Sequence, residues 1–176
     1  EILHLLEISQ RSPIDLSAEP FIGALVEFAD LAYFRPDEIH APIMLHAQTQ
    51  ALNKLVELGK QRFVDELLKR FVTNPDLRVF EREPAYKAAV RYGTHKQLDS
   101  ILSKLINSDS SSEQVRIAKA LALAHHKPTL IKLYRWLSAN NFDEKTFWDI
   151  VHVFRSHPMG QSLEPEIRSK DLKKDR

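Results

Sequence analysis

Residues 95–107, HKQLDSILSKLIN, decide the fold because their apolar side chains recur at helical spacing. The i, i+3, i+4, i+7 pattern of an amphipathic helix places five of them on one stripe: Leu98, Ile101, Leu102, Leu105 and Ile106. Thr94 and Gln97 form a capping box at the start, since each side chain can bond a backbone N–H that the helix leaves unpaired. The stretch therefore predicts a helix over 95–107.

Similar patterns predict helices along most of the chain. Upstream they lie at about 19–33, 43–58, 60–73 and 84–92, with Pro84 at a helix start and Gly93 at a helix end. Downstream, Ser110 with Glu113 caps the next helix, Pro128 opens another, and Asp143 caps 144–155. The remaining segments are predicted as follows: 1–9 a helix truncated by the chain start, 10–17 and 34–42 loops, and 161–176 a charged, frayed or disordered tail.

A repeat links three of these helices. Residues 67–74, 101–108 and 132–139 read LLKRFVTN, ILSKLINS and KLYRWLSA, so that Phe71, Leu105 and Trp136 occupy equivalent places at offsets of 34 and 31. Each segment is followed by a polar turn and a second helix, and such a hairpin must stack on neighbours to bury its apolar face. The pattern predicts an all-α, HEAT or armadillo-like α-solenoid of tandem antiparallel hairpins. We expect one domain over 1–160, with the repeats clearest over 60–160; a compact helical bundle is the alternative.

Composition excludes several functional classes. Lys plus Arg total 25 and Asp plus Glu total 24, so the net charge of +1 provides no overall field to recruit nucleic acid or an anionic membrane. The sequence contains no cysteine and no N-glycosylation sequon, and both absences favour a cytoplasmic location. Its four glycines occur singly, which excludes a Gly-rich phosphate loop.

Catalytic motifs are missing from the sequence. None of the eight histidines forms an i, i+4 pair around a glutamate, and Gly-x-Ser-x-Gly does not occur. We assign His125 and His126 to a helix C-terminus, where imidazolium complements the dipole, and Asp65 and Glu66 to a solvated helix face. The chain is therefore predicted to have no catalytic residue, metal ligand or cofactor of its own.

A run of short motifs carries a family resemblance over 86–160. Its members, in chain order, are Tyr92-Gly93 at a helix end, Ser111-Ser112-Glu113 at a helix start, Ala120-Leu121, Leu130-Ile131, and Ser156-His157-Pro158-Met159-Gly160. In order and spacing this stretch resembles the C-terminal helical domain of aminopeptidase N-like zinc metallopeptidases, the endoplasmic-reticulum aminopeptidase C-terminal-like family. Residues 43–85 fit more loosely, and 1–42 only by helical character.

Two departures accompany the resemblance. The family usually continues after the final glycine with a tryptophan-containing helix, whereas this chain becomes charged. The arginine common in the helix that ends at Tyr-Gly is replaced by the segment Glu83-Pro84-Ala85-Tyr86.

The resemblance implies a non-catalytic domain that arches over a peptide chamber. In the family, a His-Glu-x-x-His helix and a distal Glu hold zinc in a catalytic domain that this chain lacks; the implied partners are that domain of the same parent chain and a peptide substrate. Arg91, Tyr92, Arg116 and Lys119 would contact the peptide, with ordinary solvated side chains as the alternative reading. The competing function is a free-standing HEAT-like scaffold that binds a protein.

Aromatic side chains are predicted to pack in the core rather than to stack on a ligand, because they fall on apolar stripes. They are Trp136, Phe147, Trp148 and Phe154.

Overall fold

A computed structural model describes residues 19–34, 42–74, 77–140 and 142–163 of the chain. Within these ranges the fold is all-α and contains no sheet, which confirms the predicted class. The helices are α1 (Glu19–Phe34), α2 (Pro42–Glu57), α3 (Gln61–Thr73), α4 (Val79–Tyr92), α5 (His95–Asn107), α6 (Ser111–Leu121), α7 (Lys127–Ala139) and α8 (Glu144–Ser156). A further helical segment covers 158–163. The predictions for 1–9 and 10–17 lie outside the described residues.

The chain forms two compact units, Glu1–Ala88 (unit 1) and Ala89–Arg176 (unit 2), and the boundary falls inside α4. In unit 1, α1 packs against α2 and α2 against α3. Their apolar faces meet in a core cluster made of Leu25, Phe28, Ala29, Ala47, Ala51, Leu52, Leu55, Phe63 and Phe80.

Helix α4 begins at Val79, so the predicted start at Pro84 is wrong and the proline lies inside the helix. Proline has no N–H to donate to the carbonyl four residues earlier, which here belongs to Phe80. The Thr49 hydroxyl of the neighbouring helix α2 lies 3.3 Å from that carbonyl oxygen, and its closer acceptor is the Leu45 carbonyl at 2.9 Å. Its one proton is shared between the two carbonyls, so this contact replaces the missing helical bond only in part.

Unit 2 has a more regular arrangement. Helix α6 packs against both α5 and α7, its neighbours in the sequence. Contacts also join helices two apart in the sequence, α5 with α7 and α6 with α8. The predicted stripe of α5 is buried at four positions, while Ile106 at its edge remains 64% exposed. The largest fully buried side chains of this unit are Ile101, Leu105, Ile117, Leu121, Leu130, Leu133, Leu137 and Phe154.

Side-chain caps start three helices of unit 2, namely α5, α6 and α8. The capping box of α5 is confirmed: Thr94 Oγ1 accepts from the Gln97 N–H at 3.4 Å, and Gln97 Oε1 accepts from the Thr94 N–H at 2.7 Å. Asp143 caps α8 by accepting from the Thr146 N–H at 3.0 Å. Helix α6 has only half of its predicted box, since Ser110 accepts from the Glu113 N–H but the Glu113 carboxylate pairs with Arg116 instead.

The end of unit 2 differs from the sequence prediction in two places. Trp148 is 45% exposed and not a core residue, whereas Phe154 is 1% exposed, as predicted; Trp136 and Phe147 are half-buried. The predicted tail begins too early, because 161–163 are helical and Leu163 is buried. An apolar stripe shows which side chains can be buried, but neighbouring helices decide which of them are covered.

Candidate functional site

The four predicted peptide-contacting residues lie on two helices of unit 2. Arg91 and Tyr92 form the last turn of α4 and are both exposed. Arg116 and Lys119 lie one turn apart on α6 and therefore share a face, as their spacing predicts. All four side chains are at least partly accessible to solvent.

Acidic neighbours offset the charge of the α6 pair. Arg116 forms an ion pair with Glu113 one turn earlier on the same helix. Lys119 Nζ lies 3.4 Å from Asp149 Oδ2 of α8, and the two side chains are 40% and 51% exposed. This face is consequently less basic than the sequence alone indicates, and an anionic ligand would have to exchange with these carboxylates.

Two histidine contacts, which the sequence reasoning did not anticipate, lie in unit 2. The His157 Nε2 atom is 3.3 Å and 3.4 Å from the two ring nitrogens of His125, and the rings meet edge to face at 4.4 Å. The rings of His95 and His126 lie 4.6 Å apart. The repeat offers a signal that would have found them, because the partners are separated by 32 and 31 residues, close to the hairpin period.

The environment of His157 disfavours its protonated form. Burial lowers the pKa of His157 below its ordinary value of 6.5, and the nearby positive charges of His125 and Arg91 lower it further. Its Nδ1 atom is buried and has no hydrogen-bond partner within the described part of the chain. The lowered pKa and the buried, unpaired Nδ1 thus both disfavour a charged ring at this position.

The dipole assignment of His125 and His126 is wrong. Helix α6 ends at Leu121, where N–H groups of Leu123 and Ala124 bond to carbonyls three residues earlier and tighten the final turn. His126 instead occupies the N-cap position of α7, and its Nδ1 lies 2.9 Å from Thr129 Oγ1. A positive charge at a helix N-terminus opposes the helix dipole.

Asp65 and Glu66 lie on α3, as an exposed and a half-exposed residue respectively. Gln61 donates to Asp65 across 2.8 Å, and Glu66 forms an ion pair with Arg70 at the same distance. The hydrogen bond from Arg70 lowers the pKa of Glu66. Both carboxylates thus have a hydrogen-bonding partner on the same helix, as expected of a solvated helix face.

No cluster of three or more His, Asp or Glu side chains in the part of the chain that the structure describes could hold a metal ion. Similarly, none of the helices in the described ranges is both long and apolar enough to span a membrane.

A cleft of about 410 Å³ lies between α5 and α7. Leu102 and Leu105 form its floor and are 7% and 0% exposed. Ile106 and the half-buried Trp136 line it, and its charged members are Asp99, Lys132 and Arg135. A cavity of this size and apolar lining is typical of sites that accept a ligand or a partner's side chains.

Comparison with known proteins supplies no family for the chain. No protein-family model matches the sequence, and no curated protein is significantly similar to it. The resemblance over 86–160 therefore rests on the motifs themselves and stays a prediction.

Proposed function

We propose that this chain is the non-catalytic C-terminal domain of a zinc-dependent aminopeptidase. In this role it encloses the peptide chamber and influences substrate access and domain closure. The observation that carries the proposal is the ordered run of family-like motifs over 86–160, which coincides with the regularly packed helices of unit 2.

The packing of unit 2 supports the finer fold assignment, a HEAT or armadillo-like α-solenoid. In such a solenoid, equivalent helices of successive hairpins stack in two layers. The contacts of α5 with α7 and of α6 with α8 are those expected of two neighbouring hairpins. Hairpins of this kind offer a long surface against which a peptide or another domain can lie.

Two glycines of the motifs have a structural reason to be glycine. A Cβ atom at Gly93 would overlap the Ala89 carbonyl oxygen, and one at Gly160 would overlap the Phe154 carbonyl oxygen. Gly93 follows the last residue of α4, and its N–H bonds to the Ala89 carbonyl, whereas Gly160 lies in the helical segment 158–163 that follows α8. These close approaches support reading Tyr92-Gly93 and Pro158-Met159-Gly160 as structural motifs rather than chance matches.

The proposed peptide contact uses Arg91, Tyr92, Arg116 and Lys119. A guanidinium can bind a carboxylate with two parallel hydrogen bonds, and a lysine can add a point charge. Arg116 and Lys119 already hold carboxylates of the chain itself, Glu113 and Asp149. A peptide carboxylate would take the place of these acids, so that binding and release exchange one anion for another.

The predicted absence of catalysis is tested by assaying the 176-residue chain by itself. We expect no hydrolysis of aminoacyl substrates when zinc is supplied, because the proposed function assigns the metal ligands to another part of the parent. Zinc-dependent turnover that survives repurification would refute this. The parent assignment is tested by the sequence preceding Glu1: a His-Glu-x-x-His motif supports it, and a complete parent without that motif contradicts it.

The peptide contact is tested by Arg116→Ala in the full-length parent. The expected result is an altered preference for peptide length, measured as kcat/KM over a series of peptides that differ only in length. Lys96→Ala is the matched control, since Lys96 is an exposed cation of α5 outside the proposed contact. Identical length profiles for both variants would remove Arg116 from the peptide site.

The second candidate is a free-standing HEAT-like scaffold that binds another protein. The cleft between α5 and α7 favours it, because this cleft combines an exposed isoleucine with a tryptophan and an arginine. A complete natural chain with no peptidase domain would decide for the scaffold.

A further inference from the structure

The cleft between α5 and α7 has a chemistry that the proposed peptidase role does not use. Its residues on α5 follow one face at helical spacing, from Asp99 through Leu102 to Ile106, and those on α7 are Lys132, Arg135 and Trp136. Two helix faces that pack side by side leave a groove between their ridges. The groove therefore runs along the contact between α5 and α7.

Apolar surface is left uncovered in this groove. Ile106 is 64% exposed, although it belongs to the stripe whose other members are buried. Trp136 is half-buried and contacts the ring of Phe142 at 5.2 Å, which holds the indole at the edge of the cleft. Tryptophan and arginine around a small apolar centre are the residue types that dominate the energetics of protein interfaces.

The rim of the groove is positively charged. It carries Lys132 and Arg135 against one acid, Asp99. Lys132 Nζ is 3.8 Å from Asp99 Oδ1, and the two side chains are 63% and 70% exposed, so this pair is held loosely. An exposed pair of this kind contributes about 0–1 kcal/mol and exchanges readily with an incoming carboxylate.

We propose that this groove docks an amphipathic helical segment of a partner protein whose apolar side chains are flanked by acids. A leucine-sized side chain enters between Ile106 and Trp136 and rests on Leu102 and Leu105. A carboxylate one turn away on the partner helix binds Arg135, in the helix-in-groove mode of recognition. The open side of the cleft, where Ile106 and Asp99 are exposed, requires an occupant large enough to cover it.

The test uses the intrinsic fluorescence of Trp136. The sequence contains two tryptophans, so Trp148→Phe leaves Trp136 as the single reporter in the intact chain. The probe is a capped helical peptide of about 15 residues. Its leucines recur at i, i+3 and i+7 and are flanked by glutamates. We expect a saturable change in the emission of Trp136, and no such change with a matched peptide in which alanine replaces every leucine.

Three variants in the Trp148→Phe background make the docking test specific. Ile106→Asp should weaken binding at least about tenfold, as loss of a central interface contact does. Arg135→Glu should reverse the charge preference, so that a peptide with lysines in place of the glutamates binds more tightly than the original. Val72→Asp is the control, because Val72 is the repeat equivalent of Ile106 on α3 and is 66% exposed.

Several results would overturn the docking proposal, and they differ from the results that would overturn the peptidase role. It is overturned if the leucine–glutamate peptide gives no saturable signal, if Arg135→Glu leaves the charge preference unchanged, or if Val72→Asp weakens binding as much as Ile106→Asp. Concentration-dependent dimerisation in light scattering that Ile106→Asp abolishes would also overturn it, by assigning the groove to a second copy of the chain. Because the variants alter exposed side chains, circular dichroism should confirm unchanged helicity.

Discussion

The two units use polar side chains in opposite ways. In unit 1 a carboxylate is buried: Glu81 is 1% exposed and lies 2.7 Å from an Arg70 nitrogen and 2.6 Å from an Arg78 nitrogen. In unit 2 three helix starts are capped by a side chain within three residues, as Thr94 caps α5, and the ion pairs between helices, such as Lys119–Asp149, are exposed. Unit 1 thus adds a buried ion pair between α3 and α4 to its apolar core, whereas the ion pairs between helices of unit 2 that are described above lie at its surface.

This difference explains why one unit is easier to interpret from sequence than the other. A capping box is visible as two residues three apart, and an apolar stripe as a period. By contrast, Arg70 and Glu81 are separated by 11 residues in the sequence. The Asn53 amide donates to the Glu83 carboxylate, 30 residues away in the sequence, at a distance of 2.9 Å. Such contacts depend on how the helices pack, so they leave no local pattern.

The largest predicted effect comes from removing the buried carboxylate of unit 1. Glu81→Ala removes the buried carboxylate that Arg70 and Arg78 share. Losing these charged hydrogen bonds should cost about 1.5–3 kcal/mol, because the two arginines are 30% and 31% exposed and water can reach them. The free energy of unfolding in urea measures the loss. Glu66→Ala is the matched control, because Glu66 also pairs with Arg70 but is 39% exposed.

The control should lose no more than about 1 kcal/mol, as exposed pairs usually do. Equal losses for Glu81→Ala and Glu66→Ala would show that burial adds nothing to the Arg70–Glu81 contact. The contrast between the units would then have no energetic basis.

A second pair of variants contrasts glycines of the two units. Gly160→Ala places a Cβ against the Phe154 carbonyl oxygen in unit 2, and the backbone shift it forces should cost about 1–3 kcal/mol. Gly23 lies within α1 of unit 1 with nothing within 4 Å of the added atom, so Gly23→Ala should stabilise by about 0.5–1 kcal/mol. Urea unfolding measures the change in unfolding free energy for both variants. If both variants were stabilised, or both destabilised, the geometry at one of the two glycines would be contradicted.

Helix positions could be predicted from sequence better than the environment of individual side chains. Helix α5 has the predicted bounds, because its cap and stripe are both local. Trp148 and the start of α4 were predicted wrongly, since the exposure of Trp148 and the bond from Thr49 to Phe80 both depend on neighbouring helices. For the candidate site, sequence placed Arg116 and Lys119 on one face but could not show that Asp149 reaches Lys119 from α8.

A smaller effect should follow loss of a local cap in unit 2. Thr94→Ala removes the oxygen that accepts the Gln97 N–H and should cost about 1 kcal/mol. Thr73→Ala in unit 1 is the control, because the Thr73 hydroxyl donates to the Lys69 carbonyl within α3 and caps no helix start. In thermal or urea unfolding, the Thr94→Ala variant should have a clearly lower free energy of unfolding than the Thr73→Ala variant. A larger loss for Thr73→Ala would contradict the assignment of stability to the capping box.

The smallest predicted effect is on the pH dependence of the unfolding free energy, to which the contact between His125 and His157 contributes. Since the pKa of His157 is lowered in the folded chain, the unfolded chain binds the proton more tightly. The stabilisation is fully present above the ordinary pKa of 6.5 and is lost as the pH falls through the folded value. His157→Gln should therefore flatten the decline of the unfolding free energy between about pH 8 and about pH 5.

The matched control for this slope is His152→Gln, because His152 is an exposed residue of α8 outside the contact. His125→Gln sharpens the test by removing one positive neighbour of His157 while keeping the ring itself, so it should flatten the slope only in part. Identical slopes for His157→Gln and the unmodified chain would show that the half-buried ring takes up its proton as readily when folded as when unfolded. The acid sensitivity of unit 2 would then have to arise elsewhere in the chain.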